Sequence, residues 1–156
     1  MKVFLVLIGK THNAILVKCI SDYVSRLSHY LSFSILTLPD ITKGRHLSIS
    51  EQKELEGKNI LKAINNTSCV VLLDEHGEEF RSIEFANWLG KRMNCGKNLY
   101  FVVGGAYGFS SSVYSRADFK ISLSKMTFSH ELIRLIFVEQ LYRACTIQRG
   151  EPYHHE

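Results

Sequence analysis

Short apolar runs alternate along this chain with longer stretches of helical spacing, and this alternation constrains the fold more than any other feature of the sequence. The runs are rich in β-branched and aromatic residues and are continuous, which is typical of strands covered on both faces. Five strands that alternate with five helices predict an α/β domain with a mainly parallel sheet flanked by helices. The predicted strands occupy residues 2–8, 33–38, 69–74, 98–103 and 119–123.

Four of the helices can be placed from spacing and capping signals. Apolar residues recur at three- and four-residue steps in the first of them. Ser48 and Glu51 have the spacing of a capping box, which predicts the start of the second. The four helices are expected at 13–31, at about 49–66, after a capping Ser82, and at about 130–148 after a capping Ser129.

The length of 156 residues suits one domain, 1–156, with a sizeable core. No internal repeat, low-complexity tract or linker interrupts it. The formal net charge of +4 is compatible with a polyanionic partner but does not require one. The most irregular loop is 39–47, for which a plain surface loop and a phosphate contact both stay open. Its basic residues are Lys43, Arg45 and His46.

Cysteine usage and hydropathy indicate the compartment. The apolar stretch at 3–8 is too short for a signal peptide, and no run approaches the roughly 20 apolar residues of a membrane span. The lack of any C-x-x-C pair argues against a zinc knuckle or a thioredoxin-type site. We therefore expect a soluble cytoplasmic protein with no metal site and four buried, reduced thiols. These are Cys19, Cys69, Cys95 and Cys145.

Two strand ends look like nucleotide-binding loops, and neither matches the full motif. Gly9-Lys10-Thr11 copies the end of a Walker A loop, but Phe4 stands where that motif requires a further glycine. The glycine turn at 104–108 (GGAYG) does not satisfy G-x-G-x-x-G, so a Rossmann dinucleotide site is unsupported.

The glycine turn nevertheless indicates that something approaches the backbone closely at the end of the fourth strand. In α/β sheets, ligands bind at the carboxyl ends of the strands. Two further strand ends are the segments 73–77 (LDEHG) and 122–131 (SLSKMTFSHE). Together the three segments predict an apolar slot for an aromatic heterocycle, recognised by backbone groups. Taken singly, each is also consistent with a plain strand-to-helix connection.

The last helix is apolar on more than one face. We expect it to be buried on more than one side, with a subunit interface as a candidate for the second. Glu139 and Arg143 are four residues apart and share a face, so a structural ion pair and a charge pair near a site both stay open. The chain ends in a tail that places the phenol of Tyr153 beside the imidazoles of His154 and His155.

Three segments together resemble a known family. GGAYGFS, LSLSKMTFSHELIRLIFVEQLYRA and EPYHHE are similar to segments of the SPOUT-class large-subunit ribosomal RNA pseudouridine N3-methyltransferases, and the resemblance covers the whole chain. It implies an α/β-knot fold with a C-terminal trefoil knot, a homodimer in which one subunit's tail completes the other's site, and S-adenosylmethionine as cofactor. The substrate implied is a pseudouridine in the helix 69 loop of 23S ribosomal RNA within the ribosome, with no membrane and no metal involved.

The resemblance also implies roles for individual residues. Tyr153 and His154 would contact the target base, with His154 as proton acceptor, while Arg143 would orient the base or stabilise charge and Glu139 would hold Arg143. The glycines of the turn would be required because a side chain there would occupy cofactor space. The implied cofactor contacts are Leu73, Gly104, Gly105, Ser124, Lys125, Met126, Thr127, Phe128 and Ser129.

One departure and two alternatives stay open. Many relatives carry an arginine where this chain has His155, so a phosphate contact there is expected to weaken above about pH 6.5. A non-catalytic α/β ligand-binding module would need no ordered tail. A SPOUT enzyme with another RNA target would keep the cofactor loop and change the tail.

Overall fold

The computed structural model describes residues 1–41 and 46–155, and in it five strands alternate with five helices as predicted. Lys43 and Arg45, considered above as phosphate contacts, lie outside the described residues. In chain order the elements are β1 (Val3–Ile8), α1 (Ala14–Leu27), β2 (Phe33–Leu38), α2 (Ile49–Ala63), β3 (Cys69–Glu79), α3 (Ser82–Met93), β4 (Leu99–Val103), α4 (Ser111–Arg116), β5 (Phe119–Ser122) and α5 (Leu132–Gln148).

The strands form one sheet in the order β2-β1-β4-β3-β5, and every neighbouring pair is parallel. The predicted α/β class is therefore confirmed. β4 lies at the centre and all five of its residues are buried, which explains its unbroken apolar run. Because parallel strands run toward the same edge, the segments after β4 and β5 and the residues of β3 that follow Leu73 lie side by side there.

Helices cover both faces of this sheet. On one face α1, α3 and α5 contribute to a core in which the rings of Phe101 (β4) and Phe137 (α5) lie 4.7 Å apart. On the other face α2 and α4 contribute Ile60 and Val113 to a second core. α5 packs against both α1 and α3, so its predicted burial on more than one side is confirmed within one chain. The subunit interface and the trefoil knot stay predictions.

β3 is longer than the predicted 69–74 because its pairing with β5 breaks and resumes. Ile121 of β5 pairs first with Leu73 and then with Glu78, so that residues 74–77 bulge out of the ladder. Gly77 is required in this bulge, since a Cβ there would lie 2.5 Å from the backbone nitrogen and carbonyl carbon of Ile121. The bulge places Asp74 beside the end of β4.

The capping predictions have different outcomes. The Ser48–Glu51 capping box is confirmed by two reciprocal hydrogen bonds of 2.8 and 3.2 Å. The prediction for Ser82 is wrong, because Arg81 occupies the N-cap and donates its N–H to the Glu84 carboxylate at 2.7 Å. The prediction for Ser129 is wrong as well, because α5 begins at Leu132 with Glu131 at its N-cap, although Ser129 Oγ accepts the N–H of Leu132 at 3.2 Å.

Two further features differ from the sequence analysis. α4 could not be placed because its six residues are too few to show a helical period. The expectation of four buried thiols is wrong for Cys95, which is exposed near the end of α3, whereas Cys145 is buried and Cys19 and Cys69 are partly buried.

Candidate functional site

A cavity of about 580 Å³ opens at the carboxyl edge of the sheet, where the bulge of β3 meets the segments after β4 and β5. It brings together seven of the nine residues expected to contact the cofactor. Lys125 and Ser129 are not among the described residues that line it. The seven that do are Leu73, Gly104, Gly105, Ser124, Met126, Thr127 and Phe128.

The loop after β5 is shaped by short-range hydrogen bonds from serine hydroxyls. Ser122 Oγ donates to the carbonyl of Ser124 at 2.9 Å, and Ser124 Oγ accepts the N–H of Met126 at 2.9 Å. Such side-chain bonds stabilise a turn without a helix or strand. The Met126 side chain is left 77% exposed at the cavity, available to a ligand or a partner.

The structure corrects the reason given for the glycine turn. A Cβ on Gly104 would lie 3.1 Å from the ring of Phe109, and one on Gly105 would lie 2.3 Å from Oε2 of Glu56 on α2. The space beside these glycines is therefore occupied by the protein's own side chains. Gly108, at φ +78°, closes the turn by donating its N–H to the carbonyl of Gly105. Only backbone of Gly104 and Gly105 can face a ligand.

Asp74 is a cavity residue to which the sequence analysis assigned no role. Its Oδ2 accepts the hydroxyl of Tyr114 at 2.5 Å, and its Oδ1 accepts the N–H of His76 at 2.8 Å. Burial would raise the pKa of Asp74, but these hydrogen bonds outweigh burial and hold the pKa below its ordinary value. Burial and the Asp74 carboxylate raise the pKa of Tyr114 to about 12.

The sequence held a signal for one member of this pair. Asp74 stands in the LDEHG strand end, which was identified as a segment near the ligand. Tyr114 had no such signal, since it is 40 positions away on the short helix α4.

The segment that imitates a Walker A loop is held by α5. Arg134 is 1% exposed and donates to the carbonyls of Ile8 and Gly9 at 2.8 and 3.0 Å and to Thr11 Oγ1 at 2.9 Å. The Glu131 carboxylate accepts the N–H groups of the two residues before α1. The segment therefore has a structural role beside the cavity loop, consistent with the incomplete motif.

All four residues expected to be catalytic come together on α5 and the tail. Oε1 of Glu139 accepts two hydrogen bonds from Arg143, at 3.1 and 2.5 Å, and one from the Tyr153 hydroxyl at 3.0 Å. The guanidinium also lies 4.7 Å above the Tyr153 ring and 3.3 Å, through Nη1, from His154 Nδ1. Below, these four residues are called the tail cluster.

Protonation in the tail cluster follows from these contacts. The hydrogen bond to Glu139 raises the pKa of Arg143, and burial, together with the bond to the Glu139 carboxylate, raises the pKa of Tyr153. Because a guanidinium only donates, Nδ1 of His154 accepts, and the neutral imidazole carries its proton on Nε2. In this arrangement His154 offers an N–H donor, so accepting a proton there requires the Arg143 contact to break.

The tail cluster and the cavity are apart within one chain. No member of the tail cluster is among the described residues that line the cavity. Ile133 of α5 does line it, and Glu139 and Arg143 follow six and ten residues later. At 1.5 Å per residue these positions are about 9 and about 15 Å further along the helix.

The described residues offer neither a metal site nor a membrane-spanning helix. No group of three or more histidine, cysteine, aspartate or glutamate residues there could hold a metal ion. Among the helices of residues 1–41 and 46–155, none is long and apolar enough to cross a membrane.

The chain is similar to known proteins over its whole length. A family model described as "Predicted SPOUT methyltransferase" matches residues 1–154. Proteins of Phocaeicola vulgatus and Parabacteroides distasonis, both named "Ribosomal RNA large subunit methyltransferase H", are 53% and 54% identical to this chain over the full length of each. A solved structure of a probable methylase family protein from Haemophilus influenzae Rd KW20 superposes with a TM-score of 0.58 at 13% identity, over 95% of this chain and 66% of that one, and shares the fold. This chain belongs to the SPOUT methyltransferase family.

Proposed function

We propose that this protein is an S-adenosylmethionine-dependent methyltransferase that modifies N3 of a pseudouridine in the helix 69 loop of 23S ribosomal RNA, on the assembled ribosome in the cytoplasm. The observation that carries the proposal is the tail cluster, in which all four residues implied by the resemblance meet. Full-length relatives named as large-subunit ribosomal RNA methyltransferases support the same substrate class.

The cavity fits the cofactor in size and chemistry. Its volume of about 580 Å³ lies within the range typical of small-molecule sites. Phe128 and Ile133 offer apolar surface, the glycine turn offers backbone groups, and Asp74 offers a carboxylate. S-adenosylmethionine carries an adenine ring, hydrogen-bonding groups and a cationic sulfonium that match these features. When bound, it supplies an electrophilic methyl group.

The chain's own residues then act on the target base. Nitrogen N3 loses a proton as it is methylated, so negative charge develops on the flanking carbonyl oxygens. The Arg143 guanidinium and the Nε2–H of His154 are donors suited to that charge, and Glu139 fixes the guanidinium. The proton that N3 loses is taken up by Nδ1 of His154, which is free to accept it once the imidazole has left Arg143.

The distance between cavity and tail cluster supports a shared site. We place the tail cluster of one subunit of a homodimer against the cavity of the other. Exposed apolar side chains of α1, the cavity loop and α5 offer a surface for the partner: Ile15, Met126 and Leu132.

Complementation tests the shared site. Thr127→Trp fills the cavity and His154→Ala removes the imidazole, and each variant alone is expected to be inactive. Refolded together they form heterodimers with one intact site, so activity returns. Failure to recover activity from verified heterodimers places both parts of the site in one chain.

Transfer of labelled methyl groups tests the function as a whole. We expect incorporation into 70S ribosomes and little into free 23S ribosomal RNA, with the label located by a reverse-transcription stop, because a methyl on N3 blocks the base-pairing edge. His154→Ala is the matched control, with cofactor binding retained and transfer lost. Incorporation into transfer RNA instead would indicate a different SPOUT enzyme, and a folded protein that binds no cofactor would indicate the non-catalytic module.

A further inference from the structure

The cavity is acidic, although the chain as a whole is basic. The chain carries a net charge of +4, yet no lysine or arginine is among the described residues that line the cavity. Two carboxylates do line it, from Asp74 and Glu75, and the other titratable rings there are those of His76, His130 and two tyrosines.

The two carboxylates differ sharply in solvent contact. The Asp74 side chain is only 6% exposed, whereas that of Glu75 is 68% exposed. Because solvent screens an exposed charge, the field inside the cavity comes mainly from Asp74. The bonds from the Tyr114 hydroxyl and the His76 N–H keep this carboxylate in place and ionised.

We propose that Asp74 is a specificity-determining residue, whose buried charge makes the cavity prefer the cationic cofactor S-adenosylmethionine over its neutral thioether product, S-adenosylhomocysteine. The inference rests on the proposed function. The two ligands share adenine, ribose and amino-acid groups and differ by one methyl and one positive charge at sulfur. A buried anion distinguishes them by their full charge, which the apolar contacts of the cavity do not.

The test is calorimetric titration of both ligands into the wild type and two variants. Asp74→Asn keeps the shape and removes the charge, and the ratio of affinities, cofactor to product, is expected to fall about tenfold. Glu75→Gln is the matched control in the adjacent residue, with an expected change in the ratio below about twofold, because its carboxylate is screened.

The outcomes separate this inference from the function itself. Equal losses for both ligands in Asp74→Asn would overturn it and make Asp74 a hydrogen-bonding group for the shared ribose or amine. Wild type that binds neither ligand would instead contradict the proposed function.

A second measurement needs no variant and so does not depend on the folding of Asp74→Asn. An analogue with an ammonium group in place of the sulfonium is expected to bind the wild type more tightly than S-adenosylhomocysteine. Equal affinity of the charged analogue and the neutral thioether would overturn the inference.

Discussion

The hydroxyl oxygens of Tyr23 and Tyr153 lie 3.2 Å apart, which joins helix α1 to the C-terminal tail across 130 positions of sequence. Since the single proton of Tyr153 is donated to Glu139, Tyr23 is the donor in this contact. Tyr30, in the turn that follows α1, donates to Glu151, and the ring of Tyr142 packs edge-on against Tyr153 at 4.9 Å. α1 therefore holds the tail cluster in place.

Removing the Tyr23 hydroxyl is expected to impair methyl transfer without affecting the cavity. Tyr23→Phe loses one neutral hydrogen bond to Tyr153, and we expect kcat to fall by about three- to tenfold. Affinity for S-adenosylmethionine is expected to stay unchanged. Tyr100→Phe, on the opposite face of the sheet, is the matched control and is expected to keep full kcat. An unchanged kcat for Tyr23→Phe would show that the contact does not position the tail.

Replacing Arg134 is expected to destabilise the chain severely. Arg134→Met keeps most of the side-chain volume but leaves the carbonyls of Ile8 and Gly9 without this donor, which costs about 3 kcal/mol of unfolding free energy. Arg116→Met is the control, because Arg116 also donates to backbone carbonyls, that of Ser68 at 2.7 Å among them, and pairs with Asp118, but at a partly exposed site. Its cost is expected to be about 1 kcal/mol. Urea titration measures the loss of unfolding free energy in each variant. Equal losses would show that the burial of Arg134 does not increase its contribution to stability.

The clash between Gly105 and Glu56 predicts a coupled pair of substitutions. Gly105→Ala places a methyl group against the Glu56 carboxyl and is expected to cost about 2 kcal/mol of stability. In a Glu56→Ala background the same change is expected to cost about 1 kcal/mol less, because the space is free. Unfolding free energies of the four proteins give the coupling. Strict additivity would mean that the loop, and not Glu56, limits the size of residue 105.

Glu56 also predicts a pH dependence of stability. It is 4% exposed, and burial raises its pKa above the ordinary value of 4.5, a shift reinforced by Asp40 and opposed by the bond from Gln52. Glu56 therefore binds its proton more tightly in the folded state than in the unfolded state. Its contribution to the free energy of unfolding is fully present below pH 4.5 and is lost as pH rises through the folded-state pKa. Glu56→Gln is expected to remove this fall, as measured by urea midpoints between about pH 4 and 8.

Glu51, on the same helix, is the control, because its effect on stability changes with pH in the opposite direction. Backbone and side-chain hydrogen bonds with Ser48 lower its pKa below 4.5, so its stabilisation is present above that pH and disappears as pH falls through the folded pKa. Glu51→Gln is therefore expected to lose stability at neutral pH and not at low pH. A Glu56→Gln profile parallel to that of the wild type would contradict the assigned burial effect.

The sequence by itself determined the alternation of strands and helices and the three segments that border the cavity. These features are local: a continuous apolar run, a capping pair such as Ser48 and Glu51, and a glycine turn each report on backbone preferences and burial within a few residues. The tail cluster was foreseen through resemblance, and the i,i+4 spacing of Glu139 and Arg143 already placed those two on one face.

Only the tertiary structure decided which distant groups meet. Three contacts join elements that are distant in sequence: Glu56 with Gly105, Tyr114 with Asp74, and Tyr23 with Tyr153. Which elements are neighbours is set by the strand order β2-β1-β4-β3-β5. No local pattern states that order, because parallel strands are paired through crossovers of a dozen residues or more. The tertiary structure also separates the cavity from the tail cluster. Both border α5, and the length of that helix keeps them apart.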